Sequence, residues 1–211
     1  MGGTTTDVCL ITGGQAAVTS DRSLGERPMR QPMVAVDSIG AGGGSIARLD
    51  HGALVVGPES AGADPGPACY GKGGTSATVS DANVILGYLD ATRALGSDLH
   101  LDAEAARRVV TPLADAMKMS VEQAALGIIR VANSAMTRAL ARITVEQGID
   151  GRACTLLAFG GAGPMHAADV AREFGIGAGD RPSIFFDVFG AGMCQRADAL
   201  YPPANAADDL G

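Results

Sequence analysis

Two glycine-rich segments near opposite ends of the chain have residue types that can bind phosphate. Residues 2–7 read GGTTTD, and residues 160–164 read GGAGP. Glycine allows several backbone N–H groups to converge on an anion, and the threonine hydroxyls of the first segment can add donors. Asp7 can then hold Mg²⁺ or orient an attacking group. Neither segment contains a P-loop or a GxGxxG pattern, so each is equally compatible with a simple turn. The two together favour a nucleotide site.

Asp64, Cys69 and His166 are candidates for a second site. A carboxylate, a thiolate and an imidazole are all ligands of Zn²⁺, so these side chains would hold a divalent metal if the fold brings them together. The alternative is that they are ordinary loop and helix-start residues, and that His166 is a structural histidine with satisfied hydrogen bonds. Cys69, which lies between Pro67 and Tyr70, is the candidate for a reactive thiol.

Composition and charge limit the classes of protein to consider. The 211 residues are 46% hydrophobic and 18% charged, which is typical of a globular chain with one ordinary domain or two small ones. A net charge of −7 leaves no general basic surface for nucleic acid. No apolar run approaches the roughly 18 residues of a membrane span, and no signal-peptide pattern is present. The scattered cysteines favour reduced thiols in a cytoplasmic protein.

Strands and helices are expected around these segments. Strands are predicted at residues 8–11, 15–19, 34–39, 48–51, 53–56 and 154–159, with hairpin turns at Gly13, Gly14 and Gly52. Helices are predicted at residues 81–87, at 102–119 with a bend or break at Pro112, from Val121 to a stop at Gly148, and at 165–174.

The helix that starts at Val121 is the best-defined element. Ser120 and Gln123 have the spacing of a capping box, and the apolar residues that follow recur at steps of three and four. Arg138 and Arg142 lie one turn apart on this helix. They either face an anionic ligand or belong to a solvated surface.

Five segments in unbroken order resemble the hydantoinase/5-oxoprolinase family, specifically its A-type subunit. They are residues 1–11, 39–47, 56–71, 79–83 and 157–167. The third of them, VGPESAGADPGPACYG, is the most specific. The likeness covers residues 1–176, which are predicted to form the second ATPase lobe of a hydantoinase A/oxoprolinase domain, truncated at its N-terminus. Residues 177–211 are predicted to be a divergent C-terminal segment.

This resemblance implies a fold and a chemistry. The fold would be α/β, an actin-like and sugar-kinase-like ATPase lobe of ribonuclease H-like type, with a mixed sheet, packed helices and a nucleotide cleft between two lobes. Family members open cyclic amides such as hydantoins or 5-oxoproline by phosphorylating the carbonyl oxygen with ATP. Others serve in ATP-dependent acetone or acetophenone carboxylases, and the sequence leaves both activities open.

The resemblance also implies roles for individual residues. The cofactors would be ATP and Mg²⁺, with the phosphates contacting Gly2, Gly3, Thr4, Thr5 and Thr6. The adenosine would be bordered by Gly160, Gly161 and Gly163. Asp7 would lie near Mg²⁺ and act in catalysis. Apart from the resemblance, Cys69 is a candidate to attack the amide carbonyl, and Asp64 and His166 are candidates to hold an additional divalent metal.

Partners are expected for the same reason. The first lobe of the family, with its own phosphate loop, is absent from this sequence, so we expect that the chain alone does not turn over substrate. We expect it to need a matching N-terminal lobe and a B-type hydantoinase/oxoprolinase subunit, to form an oligomer and to act on a small cyclic amide. A further alternative is an inactive remnant that serves only in assembly.

Overall fold

Helices and short strands alternate along the described part of the chain. The structure is a computed structural model that describes residues 1–20, 22–24, 27–93, 99–176, 184–187 and 194–196. The described strands are β1 Thr6–Val8, β2 Ile11–Thr12, β3 Gln15–Ala16, β4 Val18–Thr19, β5 Arg22–Leu24, β6 Arg27–Met29, β7 Met33–Val34, β8 Asp37–Ile39, β9 Ser45–Asp50, β10 Ala53–Ser60, β11 Leu156–Phe159, β12 Ile184–Asp187 and β13 Cys194–Arg196. The described α-helices are α1 Val79–Ile85, α2 Ala103–Met117, α3 Val121–Val145 and α4 Gly163–Phe174.

Helix α3 is the centre of the hydrophobic core, and α1, α2, α4 and β10 all pack against it. The predicted capping box is confirmed. The Ser120 hydroxyl accepts a hydrogen bond from the Gln123 backbone N–H, and the Gln123 side-chain oxygen accepts one from the Ser120 backbone N–H. The buried face of α3 includes Ala125, Ile128 and Ala132. Small side chains on this face allow the neighbouring elements to approach closely, and full burial of one isoleucine contributes about 1.5–3 kcal/mol.

Helix α2 runs unbroken through Pro112, so the predicted break is wrong. Proline lacks an N–H and removes one hydrogen bond from the helix interior. Pro112 lies on the exposed face of α2, where water can satisfy the carbonyl that loses its partner. The helix begins at an Asp102 cap, whose carboxylate accepts the Ala105 amide at 2.8 Å.

Antiparallel pairs account for most of the described strands. Strands β9 and β10 form the predicted hairpin, and β2 and β3 form a second hairpin. The single strand predicted at residues 34–39 is two strands, because β7 pairs with β4 whereas β8 pairs with β1. The chain changes partner between Val34 and Asp37, which local sequence pattern does not reveal.

Strand β11, the following glycine turn and α4 form a strand–turn–helix unit. Strand β11 pairs in parallel with β12, and β12 pairs antiparallel with β13. The described part is therefore a mixed α/β structure with small sheets and packed helices, in agreement with the predicted class. Most of the segment 177–211 lies outside the described residues, so the predicted domain boundary at 176 stays a prediction. Within the described ranges, no helix has the length and apolarity to cross a membrane.

Candidate functional site

Three glycine segments that are far apart in the sequence meet at one surface. The amide of Gly2 donates to the Thr5 carbonyl at 2.9 Å and closes a turn before β1. The segment between β8 and β9 packs on this turn, because the Gly43 amide donates to the Gly2 carbonyl at 2.9 Å and the Gly44 amide to the Gly3 carbonyl at 2.6 Å. The turn before α4 joins them through residue 162, whose amide donates to the carbonyl of residue 1 at 3.2 Å.

Two glycines make this close approach possible. A Cβ on Gly42 would lie 2.6 Å from the carbonyl carbon and oxygen of Gly3, far inside any allowed contact. A Cβ on Gly160 would lie 2.6 Å from the Met1 carbonyl oxygen, and Gly160 also has a φ of +86°, which side chains rarely adopt. The glycines at these positions thus allow one backbone to rest directly on another.

The surface that results presents backbone donors to solvent. Residues 2–5 are exposed, and the amides of Gly3 and Thr4 donate to no other residue in the described ranges. Helix α4 begins beside them, and its N-cap residue Ala162 offers no side-chain cap. Unsatisfied N–H groups and the positive end of a helix dipole both favour an anion. The predicted border residues Gly160 and Gly161 lie in the turn that precedes α4, and Gly163 is the first residue of α4.

Asp7 is the carboxylate closest in sequence to this surface. It lies exposed on β1 opposite Ser38 of β8, whose hydroxyl donates to the Asp7 carboxylate at 2.5 Å. Thr6 has a different role from its neighbours, because its buried hydroxyl donates to the Ala41 carbonyl at 2.5 Å and ties β1 to the second glycine segment. Of the three threonines in the first segment, Thr4 and Thr5 are exposed and Thr6 is buried.

His166 lies on α4 below the glycine turn, is almost completely buried and contacts two asparagines. Its Nδ1 lies 2.8 Å from the Asn133 side-chain oxygen, and its Nε2 lies 3.3 Å from the Asn83 side-chain nitrogen. Because the Asn133 oxygen only accepts, Nδ1 carries the proton and Nε2 accepts from Asn83. Burial lowers the pKa of His166 to about 4, so the ring is neutral. Both ring nitrogens are engaged, which fits the structural alternative better than metal binding.

Cys69 is fully buried under α1. Its amide donates to the Asp81 carboxylate at 2.7 Å, and burial together with that carboxylate raises the pKa of the Cys69 thiol. A raised pKa removes the nucleophilic thiolate, so this environment does not favour a reactive thiol. Asp64, in contrast, lies exposed in the loop after β10.

The structure does not bring the predicted metal ligands together. Among the residues it describes, no three His, Cys, Asp or Glu side chains are placed to hold a metal ion as a group. His166 faces the asparagines of α1 and α3, Cys69 faces Asp81, and Asp64 faces solvent. The guanidinium of Arg142 on α3 bonds to the Asp37 carboxylate of β8. This pairing favours a structural role for Arg142 over the alternative that it faces an anionic ligand.

Sequence reasoning assigned no role to several residues that shape this surface. Gly42 supports the first glycine turn, and Ser38 contacts Asp7. Ser60, at the end of β10, lies with its hydroxyl oxygen 3.4 Å from that of Thr4. The signals that could have found them are the run of three glycines at 42–44 and the serine inside the specific motif at 56–71.

The chain is thus a mixed α/β protein with an exposed glycine surface beside its strand–turn–helix unit. Backbone N–H groups are the donors at this surface. The Hydantoinase/oxoprolinase family model matches residues 1–194, and the chain belongs to that family. The resemblance found in the sequence is confirmed.

Two solved structures and a curated protein sequence are similar to this chain. The chain is similar to the crystal structure of ATP-dependent caprolactamase from Pseudomonas jessenii, at 42% identity and a TM-score of 0.78 over 88% of this chain and 26% of that one. It is similar to the nucleotide-free structure of acetone carboxylase, at 34% identity and a TM-score of 0.75 over 83% of this chain and 25% of that one.

A third relative is 5-oxoprolinase 1 of Arabidopsis thaliana, which is 38% identical over 193 residues. That match covers 83% of this chain and 15% of the relative. The chain spans about a quarter of the length of the first curated relatives it matches, with 25% and 28% coverage.

Proposed function

We propose that residues 1–176 form the second lobe of an ATP-dependent enzyme that opens a cyclic amide, with an actin-like, ribonuclease H-like arrangement and the phosphates at the glycine surface. The meeting of the three glycine segments carries this proposal. Glycine at residues 42 and 160 lets the backbones pack together while residues 2–5 stay exposed. The ATP dependence of the solved caprolactamase, a lactam-directed relative, supports the same assignment.

The residues present fit a nucleotide phosphate. The donors are the amides of Gly3 and Thr4, which bond to no other described residue, the hydroxyls of Thr4 and Thr5, and the N-terminus of α4. Asp7, with Ser38 as its hydrogen-bond partner, is the carboxylate that would hold Mg²⁺, which commonly takes one or two carboxylates together with phosphate oxygens and water. Phosphoryl transfer needs positioning and charge neutralisation, and these groups provide both.

The proposed reaction uses ATP to convert a poor electrophile into a good one. The terminal phosphoryl group moves to the amide carbonyl oxygen and ADP leaves. Water then adds to the activated carbon, and the ring C–N bond breaks to give a free amine and an acyl phosphate. A second water attacks the acyl carbon, so that a carboxylate forms and phosphate departs with the former carbonyl oxygen. The part of this chain is to hold the phosphates in line with the substrate. A matching first lobe supplies the opposite wall, and a B-type subunit completes the enzyme.

The test is ATP-dependent release of ADP and ring-opened product by this chain alone and after mixing with a matching first lobe and B-type subunit. We expect product in the mixture only, and a loss with Asp7→Asn. Asp115→Asn, an exposed carboxylate on α2 away from the surface, is the matched control and should retain activity. Product formation unaffected by Asp7→Asn would contradict the assignment of the site.

A second candidate is the equivalent subunit of an ATP-dependent ketone carboxylase. The similarity to the solved acetone carboxylase, at a TM-score of 0.75, favours it. ADP formed only when ketone and bicarbonate are supplied would select this activity over amide hydrolysis. Absence of ADP with every substrate in the complete mixture would identify the chain as an inactive remnant.

A further inference from the structure

Ser60 reaches the glycine surface from a fourth segment of the chain. Between Val56 and Ser60, strand β10 advances four positions while its partner β9 advances two, so β10 carries a bulge there. Gly57 lies in this bulge with a φ of +70°, and a Cβ on it would lie 2.4 Å from the Gly40 carbonyl oxygen. A bulge redirects the side chains of the strand that contains it. The Ser60 hydroxyl thereby lies beside the turn at residues 2–5.

The contacts follow an order along the surface. Gly43 and Gly44 bond to successive carbonyls of the first glycine segment. A Cβ on Gly43 would lie 3.8 Å from the Ala162 Cβ, in the turn before α4, whereas a Cβ on Gly44 would lie 3.0 Å from the Ser60 Oγ. The Ser60 Oγ in turn lies 3.4 Å from the Thr4 Oγ1. The turn before α4 therefore meets the start of the first segment, and Ser60 meets its far end.

The Ser60 hydroxyl keeps a proton that it can donate to a ligand. Its oxygen accepts the Gly62 amide at 3.1 Å, and a hydroxyl that accepts one hydrogen bond still carries its own hydrogen. The Thr4 oxygen, at 3.4 Å, is beyond the usual length of an O–H···O bond. Thr4 is exposed and Ser60 is half-buried, so solvent reaches the pair. Two hydroxyls at this spacing can each donate to a different oxygen of one phosphoryl group.

We propose that Ser60, together with Thr4, binds the terminal phosphoryl group of ATP. This inference rests on the proposed function, in which residues 160–163 border the adenosine and residues 2–6 contact the phosphates. The phosphates of ATP extend in one direction from the adenosine, and Ser60 lies at the end of the surface away from the turn before α4. The phosphoryl group nearest Ser60 is therefore the one that is transferred. The specific segment 56–71 thus supplies a hydroxyl donor where negative charge is concentrated.

The test compares two nucleotides that differ in the terminal phosphoryl group, ADP and the β,γ-imido analogue of ATP. Isothermal titration calorimetry is carried out on the chain assembled with a matching first lobe and B-type subunit. Ser60→Ala should weaken binding of the analogue at least about tenfold, as expected for the loss of one hydrogen bond to a charged group, and leave the affinity for ADP unchanged. An unchanged affinity for the analogue, or an equal loss for both nucleotides, would overturn the proposal.

Ser134→Ala is the matched control. Its hydroxyl donates to the Glu173 carboxylate at 2.8 Å, near the end of α4 that is farther from the glycine surface. This variant also removes a serine hydroxyl that bonds within the chain, and it should bind both nucleotides as the parent does. A selective loss of the analogue in Ser134→Ala would mean that the effect of Ser60→Ala is not local, and would overturn the proposal.

Two further variants separate the alternatives. Ser60→Ala also removes the acceptor of the Gly62 amide, so Ser60→Thr, which keeps the hydroxyl, should retain most of the analogue binding. Equal weakening in both Ser60 variants would assign the effect to the loop and overturn the proposal. If Thr4→Val and Asp7→Asn weaken analogue binding but Ser60→Ala does not, the proposed function stands and this inference fails. If the assembled parent binds neither nucleotide, both fail.

Discussion

The amide of Gly44 donates to the carbonyl of Gly3 at 2.6 Å, although 41 positions separate them in the chain. This bond and its neighbour from Gly43 to Gly2 hold the exposed turn at residues 2–5 against the segment that enters β9. Backbone hydrogen bonds therefore support the glycine-rich turn from below. Within the described part of the chain, its amides at Gly3 and Thr4 have no hydrogen-bond acceptor, which is the property that a phosphate site requires.

Substitution of Gly42 should damage this support. In Gly42→Ala the new Cβ would lie 2.6 Å from backbone atoms of Gly3 and Thr4, which cannot yield as a flexible side chain does. We expect a loss of about 1–3 kcal/mol in the free energy of unfolding, as for other overpacked sites. Gly161→Ala is the matched control, because a Cβ there meets no atom within 4 Å. Urea unfolding of both variants measures the difference, and equal stability would mean that the two segments do not touch.

His166 should make stability depend on pH. Burial lowers its pKa from 6.5 to about 4, so between these values the unfolded chain binds a proton that the folded chain does not. Stability is therefore complete above about pH 6.5 and falls as the pH drops toward 4. At about 1.4 kcal/mol per pKa unit, the whole effect is on the order of 3 kcal/mol. Urea unfolding at several pH values measures it.

The contribution of His166 can be separated from that of the carboxylates by a matched pair of variants. His166→Gln keeps a donor and an acceptor for Asn133 and Asn83 but does not titrate, so its stability should fall less steeply between pH 6.5 and 4. His100→Gln, at an exposed position, should keep the slope of the parent. If the free energy of unfolding changes equally with pH in the parent and both variants, His166 is not buried in its neutral form.

Cys69 should resist alkylation while the chain is folded. Its side chain is fully buried, and burial raises the pKa of the thiol, so little thiolate is available to react. Cys9 is exposed and serves as the internal control. Iodoacetamide labelling followed by mass spectrometry should modify Cys9 in buffer and Cys69 only in denaturant. Labelling of Cys69 in the folded protein would restore the interpretation that it is a catalytic thiol, which Cys69→Ser in the assembled enzyme would then examine.

Asp81 should be important for the stability of the region around α1. Its buried carboxylate accepts the Cys69 amide at 2.7 Å, the Thr78 hydroxyl at 2.7 Å and the Thr78 amide at 3.0 Å. Asp81→Asn would turn an amide nitrogen toward these donors, and hydrogen bonds to a charged group contribute about 1.5–3 kcal/mol each. We expect a loss of at least about 2 kcal/mol by urea unfolding. Asp115→Asn on the exposed face of α2 should change little, and an equally small change in Asp81→Asn would show that the carboxylate is not buried.

Local signals in the sequence determined the elements that depend on near neighbours. The capping residues Ser120 and Gln123, the three- and four-residue steps of α3 and the turn at Gly52 act within a few positions, so periodicity and turn chemistry were sufficient to find them. The family segments also belong to the sequence, because order and residue type alone carry the resemblance, and the family match over residues 1–194 confirms it.

Tertiary structure decided which distant residues meet. The residue types of Asp64, Cys69 and His166 were compatible with a metal site, but Cys69 lies against Asp81, and His166 bonds to the asparagines of α1 and α3. The support that Gly42 gives to Gly3 also joins separate elements. Such contacts depend on how helices and strands pack around α3, and residue type fixes only which partners are chemically possible. The sequence by itself determined the family and the local elements, and packing decided which polar groups are buried against a partner and which stay free to bind.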